Sequence, residues 1–223
     1  MTAPRLPVLS LLETRVLGVL CEKQHTVPDT YPLSLNALVA GCNQKTSRHP
    51  IIEASEAEVQ AAIDSLRGPA LVVESSGGRV TRYAHNMEKA LRLPSQAVAL
   101  LAVLMLRGPQ TVGELRLNCE RLHRFADISA ADAFLQELAA RPDAAMVVEL
   151  PRQRGSREPR WAHLLSGAPA AETAAASPVA EPGAAVSMDG IAALETRVAR
   201  LEAEVEGLKS LLGKLCAERG MPA

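Results

Sequence analysis

The chain repeats itself, and that repeat narrows the folds open to it more than any bulk property. The stretch Ala70-Leu71-Val72-Val73-Glu74, then Ser75-Ser76-Gly77-Gly78, then Arg79-Val80-Thr81-Arg82-Tyr83-Ala84-His85 comes back later in altered form. It returns as Ala145-Met146-Val147-Val148-Glu149, a longer loop from Leu150 to Ser156, and Arg157-Glu158-Pro159-Arg160-Trp161-Ala162-His163. Each copy is a short β-branched run, a Gly-containing turn and a return run closing on Arg, an aromatic ring, Ala and His. That is the pattern of a β-hairpin. A lone hairpin is marginal in water, so each must pack on other elements of its own copy.

Ahead of each hairpin the apolar residues fall three or four apart, as on a helix. In the first copy they are Leu9, Leu12, Val16, Val19 and Leu20, then Leu35, Leu38 and Val39, then Val59, Ile63 and Leu66. Ser55 with Glu58 supplies a capping-box signature for the third of these short helices. The second copy offers helices over Ser95–Leu106, Thr111–Leu122 and Ser129–Ala140, with Gly108-Pro109 closing the first and Phe134 and Leu138 matching Val59 and Ile63. The expected fold class is therefore mainly α with small β-hairpins (α+β): tandem winged helix-turn-helix domains over 1–92 and 93–166, each burying its own small hydrophobic centre, plus a C-terminal coiled-coil helix.

From Gly167 to Val186 there is no Leu, Ile or aromatic residue, and Pro169, Pro178 and Pro182 interrupt any helix. Such a segment buries too little surface to offset its ordering entropy, so 167–187 reads as an Ala/Pro-rich disordered linker. Beyond it, over 188–218, Ile191, Leu194, Val198, Leu201, Val205, Leu208, Leu212 and Leu215 alternate spacings of three and four along one seam. With Ile191 at position a, every d position is Leu, and Arg197 with Glu202 and Glu204 with Lys209 pair opposite charges across a parallel dimer. The expected partner is a second copy of the chain. Leu211 at a g position leaves a trimer open, and the plainer alternative is a helix folding back on its own body.

Composition excludes several classes. A net charge of −1, with 22% charged and 48% apolar residues, fits neither a disordered polyelectrolyte nor a uniformly basic coat protein. Aromatic residues make up 2%, too few for the stacking platform of a single-strand nucleic-acid binder. Met1–Pro7 has no apolar region of a signal peptide, and the longest apolar run, Ala97–Leu106, is about half the roughly 20 residues a membrane span needs. Cys21, Cys42, Cys119 and Cys216 are scattered without a C-x-x-C pair, which points to reduced thiols and a cytoplasmic location, away from membranes.

Particular residues then narrow the family. Leu12-Glu13-Thr14-Arg15-Val16-Leu17-Gly18, Glu22-Lys23-Gln24, Thr26-Val27-Pro28-Asp29-Thr30-Tyr31-Pro32-Leu33-Ser34-Leu35-Asn36-Ala37-Leu38, Cys42-Asn43-Gln44-Lys45, Arg107-Gly108-Pro109-Gln110-Thr111 and Gly113-Glu114-Leu115-Arg116 together resemble the signature of the bacterial YceH-like family. That family has no assigned biochemical function. The resemblance covers roughly residues 8–166 and implies a tandem winged-helix fold, while saying little about activity.

No enzyme constellation stands out. There is no phosphate-binding loop and no nucleophile elbow, and Gly77-Gly78 is better used by a hairpin turn. Cys21 with His25, and Cys119 with His123, stand at i,i+4, but without a second ligand pair nearby they read as buried thiols beside solvent-facing imidazoles. His85 and His163 close the repeated strands and are expected to make structural hydrogen bonds. Tyr83 and Trp161 before them are expected to pack the hairpins onto the helices. No metal, no cofactor and no catalytic residue are expected.

Nucleic acid is the sharper question. A winged helix commonly sends its third helix into the major groove and sets its wing on the backbone, so both need cationic or amide side chains. The third helices carry Glu53, Glu56, Glu58 and Asp64 against Arg67, and Asp127, Asp132 and Glu137 against Arg141, which disfavours groove insertion. The second wing argues the other way with Arg152, Arg154, Arg157 and Arg160. Arg79 and Arg82 of the first wing, Lys45 and Arg48 of the Asn43–His49 loop, and Arg116, Arg121 and Arg124 around the fifth expected helix add further candidates. For Asn43 and Lys45 the simpler role is to complete a helix C-terminus. The expectation is a non-enzymatic, DNA-associated transcriptional regulator touching duplex DNA through its Arg-rich wings. The alternative is a protein-protein interaction scaffold that uses the acidic winged-helix faces and a dimeric coiled coil.

Overall fold

The computed structural model describes residues 8–75, 80–142, 144–152 and 155–169. The expected coiled-coil seam from Ile191 to Leu215, the linker beyond residue 169, and Arg79 and Arg154 lie outside the described residues. Within them the fold is mixed α/β, with seven helices and two small antiparallel sheets. The first copy runs α1 (Leu11–Thr26), a 3-10 turn (Pro28–Thr30), β1 (Leu33–Ser34), α2 (Leu35–Cys42), α3 (Glu56–Arg67), β2 (Val72–Ser75) and β3 (Arg82–His85). After α4 (Met87–Leu91) the second runs α5 (Ser95–Arg107), α6 (Val112–Cys119), α7 (Ile128–Ala139), β4 (Val147–Leu150) and β5 (Arg160–His163).

Five of the seven described helices, all but α4 and α5, start where the sequence gives their first turns an acceptor. Ser10, Ser55 and Thr111 each accept from the backbone N–H three residues on, and Glu13, Glu58 and Glu114 return the bond to the cap backbone. These are full capping boxes, each satisfying two otherwise unpaired donors. Asp127 caps α7 by accepting from Ala130 N at 2.7 Å.

The two hairpins have the same register. Val72 pairs with His85 and Glu74 with Tyr83, just as Val147 pairs with His163 and Glu149 with Trp161. Tyr83 and Trp161 are both buried, as expected of rings that seat a hairpin on its helices. The third strand was not anticipated. β1 pairs with β3 through Leu33 and Tyr83, giving the order β1-β3-β2, and in the second copy a single Gln110–Trp161 bridge takes the same place. A two-residue strand leaves no alternation to read, which explains the omission.

One expectation is corrected. The copies do not bury separate hydrophobic centres: the buried residues form one continuous cluster from Leu9 to Leu165, and the described residues make one compact unit. The cause lies in α1 and α5. Val16, Leu17, Val19 and Leu20 on α1, and Ala97 through Leu106 on α5, are buried on every face. A helix apolar all round needs cover on all sides. Each central helix packs against the two other helices of its own copy, and its remaining face packs against the other central helix. Backbone bonds add to the junction: Leu9 N donates to Leu165 O at 2.8 Å and His49 N to Leu106 O at 2.7 Å.

The close approach of α1 and α5 depends on Gly18. A Cβ there would lie 2.8 Å from Leu106 Cγ, a branch atom with little freedom to move. Gly18→Val is therefore expected to cost about 1–3 kcal/mol through overpacking. Gly113→Ala, where a Cβ meets nothing within 4 Å, is expected to be neutral or to stabilise by up to about 1 kcal/mol. Urea unfolding of the two variants checks both values.

Candidate functional site

The polar loop after α2 is built around two buried arginines. Arg15, on the apolar stripe of α1 three residues after Leu12 and four before Val19, is 0% exposed. Its guanidinium donates to Cys42 O at 3.1 Å and to Pro50 O at 2.6 Å. Arg48, 6% exposed, donates through Nε to Gly41 O at 3.2 Å and through its two terminal nitrogens to Glu22 Oε1 and Oε2 at 3.1 and 2.6 Å. Gly41 and Cys42 end α2, so their carbonyls are among the four that a helix C-terminus leaves without partners, and the partial negative charge there favours cations. Asn43 closes the loop by exchanging two 2.8 Å bonds with the backbone of Ala54.

These contacts set the electrostatics. Burial pushes the Glu22 carboxyl up, but the hydrogen bonds and charge of Arg48, with help from Lys23, hold it below the usual carboxylate range. Burial lowers the Arg15 pKa, and the nearby Arg48 charge lowers it further; an arginine nevertheless stays charged. A fork-shaped guanidinium on one carboxylate is the strong geometry for a desolvated pair.

Arg48 is therefore withdrawn from the nucleic-acid candidates: it is a buried structural residue, and Arg15 is a second one that the expected site did not include. The spacing of Arg15 within the apolar stripe was the available signal. Arg82 is exposed, yet it donates to Thr30 O at 3.0 Å and Pro32 O at 2.8 Å, tying the 28–32 connector to β3. Lys45 is exposed. In the second hairpin loop Arg152 and Arg157 are exposed, while Arg160, on β5, is half-buried. Arg116 donates to Ala126 O at 3.2 Å, and Arg121 and Arg124 are exposed. On α3 and just before it, Glu53, Glu56, Glu58 and Asp64 all face solvent, and Arg67 is engaged by Asp64 and Glu74.

The thiols and imidazoles sort as their surroundings require. Cys21 is buried with its Sγ 3.5 Å from Met87 Sδ, while His25 is exposed. Burial pushes the Cys42 and Cys119 thiols up to about 12 and the Cys21 thiol higher, so none is a nucleophile at neutral pH. His123 stands edge-on to Phe125 at 4.7 Å. Among the described residues no group of three or more His, Cys, Asp or Glu is placed to hold a metal ion, and no helix is long and apolar enough to cross a membrane. His85 bonds Gln24 through Nε2, and its backbone N–H donates to the Tyr31 hydroxyl at 2.9 Å. Burial lowers both His85 and His163 to about 4, His25 adding to the effect at His85.

A duplicated three-helix-and-hairpin unit, fused through its first helices and locked by buried arginines, defines the structural class of this chain. Residues 9–156 match the family model described as "Protein of unknown function, DUF480", and the chain belongs to that family. Relatives named UPF0502 protein are similar over nearly their whole lengths. The one from Dechloromonas aromatica is 66% identical over 206 residues, 92% of this chain and 95% of its own. The Paraburkholderia xenovorans protein is 54% identical over 223 residues (99% and 92%) and the Methylibium petroleiphilum protein 58% over 201 (90% and 85%).

Proposed function

We propose that the chain is a non-enzymatic, cytoplasmic tandem winged-helix regulator that associates with duplex DNA through the hairpin surface of its second copy. The observation that carries this reading is the exposure of Arg152 and Arg157 on the loop between β4 and β5, with Arg124 exposed after α6. Cations on a protruding hairpin reach phosphates without a helix entering a groove, and phosphate contacts position a protein while carrying no sequence information. The heptad seam from Ile191 to Leu215 supports pairing of two chains, which would place two such surfaces on one duplex with gain in avidity.

The test is duplex binding by fluorescence anisotropy across a salt series. Affinity is expected to fall steeply with salt, and Arg152→Ala with Arg157→Ala to flatten log K against log salt by about one per contact removed. Lack of binding to mixed-sequence duplex at 50 mM salt, or a slope unchanged in the double variant, counts against it. A second reading rests on the solvent-facing acids Glu53, Glu56, Glu58 and Asp64, which suit a basic protein partner better than a phosphate backbone. In that case a partner co-purifies after nuclease treatment, and Glu56→Lys with Asp64→Lys releases it.

A further inference from the structure

Where the two copies meet, a cleft of about 220 Å³ is bounded by the C-terminal turns of α1, α5 and α6 and by the loop after α2. Three cations line it, Lys23, Arg107 and Arg121, among the polar side chains of Gln44, Ser47 and Asn118. The carboxylate on its wall, Glu22, is already held by both terminal nitrogens of Arg48. Arg107 donates to Ser47 Oγ at 2.9 Å across the junction, while Lys23, within the first copy, donates to Gln44 Oε1 at 3.2 Å and pairs with Glu22 Oε2 at 3.1 Å. Arg121 is exposed and has no carboxylate partner among the described residues.

Cations collect at helix C-termini for a simple reason, and three helices end here. Each terminus contributes about half a negative charge. Lys23, Arg48, Arg107 and Arg121 set against Glu22, which Lys23 and Arg48 share, leave three positive charges, of which the three termini offset roughly one and a half. A positive surplus remains in a concave, donor-rich space between two packed bodies, where low-dielectric walls concentrate the field.

We propose that this cleft binds the phosphate of a small phosphomonoester, with Arg121 facing the anion and Arg107 positioned by Ser47. The volume lies below the ~300–1,000 Å³ of pockets for drug-sized ligands, which favours a compact sugar or polyol phosphate over a nucleotide. The site is independent of the second hairpin: its cations do not include Arg152, Arg157 or Arg124, on which the duplex-binding proposal rests, although Arg121 follows the same helix as Arg124.

Calorimetric titration of the full chain with glycerol 3-phosphate, with glycerol as the uncharged control and ionic strength held constant, tests this. Saturable binding of the phosphate alone is expected. Arg121→Ala should weaken it at least tenfold with an unchanged unfolding midpoint, and Arg152→Ala should leave it intact. No saturable heat up to 10 mM, or equal affinity in Arg121→Ala, overturns the proposal. So does an Arg121→Ala variant that loses duplex binding but keeps the phosphomonoester, because the cation would then serve nucleic-acid backbone instead. Failure of duplex binding in the wild type leaves this site standing, and failure here leaves the hairpin reading standing.

Discussion

Glu22→Ala is expected to lower the unfolding free energy by about 3–5 kcal/mol, the range for breaking a buried pair from one side. The large effect comes from what is left behind. The Arg48 side chain is 0% exposed and 2.6 Å from its carboxylate partner; without Glu22 its charge keeps only the Gly41 and Ser47 carbonyls and Gln44. Glu22→Gln should fall between, since an amide oxygen still accepts one bond. Removing both partners, as Glu22→Met with Arg48→Met, should recover most of the loss, because a well-packed apolar pair is often no worse than a buried ionic one. Urea unfolding of the wild type and these three variants at pH 7 gives their order. The Glu22 carboxyl is held below the usual range, so its contribution is full above about pH 4, the ordinary carboxylate value, and fades only as acid carries the folded protein through its lower pKa.

Acidification should reveal a second effect at milder pH, from His85 and His163. Both imidazoles are lowered from 6.5 to about 4 by burial. Between those values the unfolded chain binds more protons than the folded one, so stability rises with pH across the window. The contribution is complete above about pH 6.5 and is lost as pH falls toward 4, by about 1–3 kcal/mol for each ring after allowing for partial solvent access. Urea midpoints at pH 7.0, 5.5 and 4.5 should decline accordingly, and the double variant His85→Gln, His163→Gln should decline less between pH 7.0 and 4.5. Equal slopes in the two proteins would show that other groups carry the acid sensitivity. Because the rings sit at equivalent β-hairpin positions, each pairing with a valine across its sheet, both copies should loosen together.

The duplication was legible because strands ending Arg-aromatic-Ala-His and capping boxes such as Ser55 with Glu58 are local signals. Registers and helix starts follow from them. The fusion of the copies was only partly visible. The unbroken apolar run Ala97–Leu106 signalled a helix buried all round, but which partner covers its extra face is a tertiary fact that no spacing states. The same limit applies to the arginines. Arg48 sits in a loop rich in polar residues and reads as a surface cation; only the fold brings Glu22, 26 residues earlier, into contact with it. Arg82 likewise reads as free until the carbonyls of Thr30 and Pro32 close on it. The second hairpin differs: Arg152 and Arg157 are exposed and have no long-range partner among the described residues, so their exposure follows the sequence.

The fused core is the claim on which the structural reading depends, and Trp161 makes it measurable. It is the sole tryptophan, buried in the second copy on β5, while Glu22 belongs to the first. Denaturant unfolding of Glu22→Ala followed by Trp161 fluorescence should shift by the same amount as unfolding followed by far-ultraviolet circular dichroism, because α1 and α5 share one interior. A Trp161 transition left at the wild-type midpoint while the dichroism transition splits would mean two independent bodies and would contradict the account.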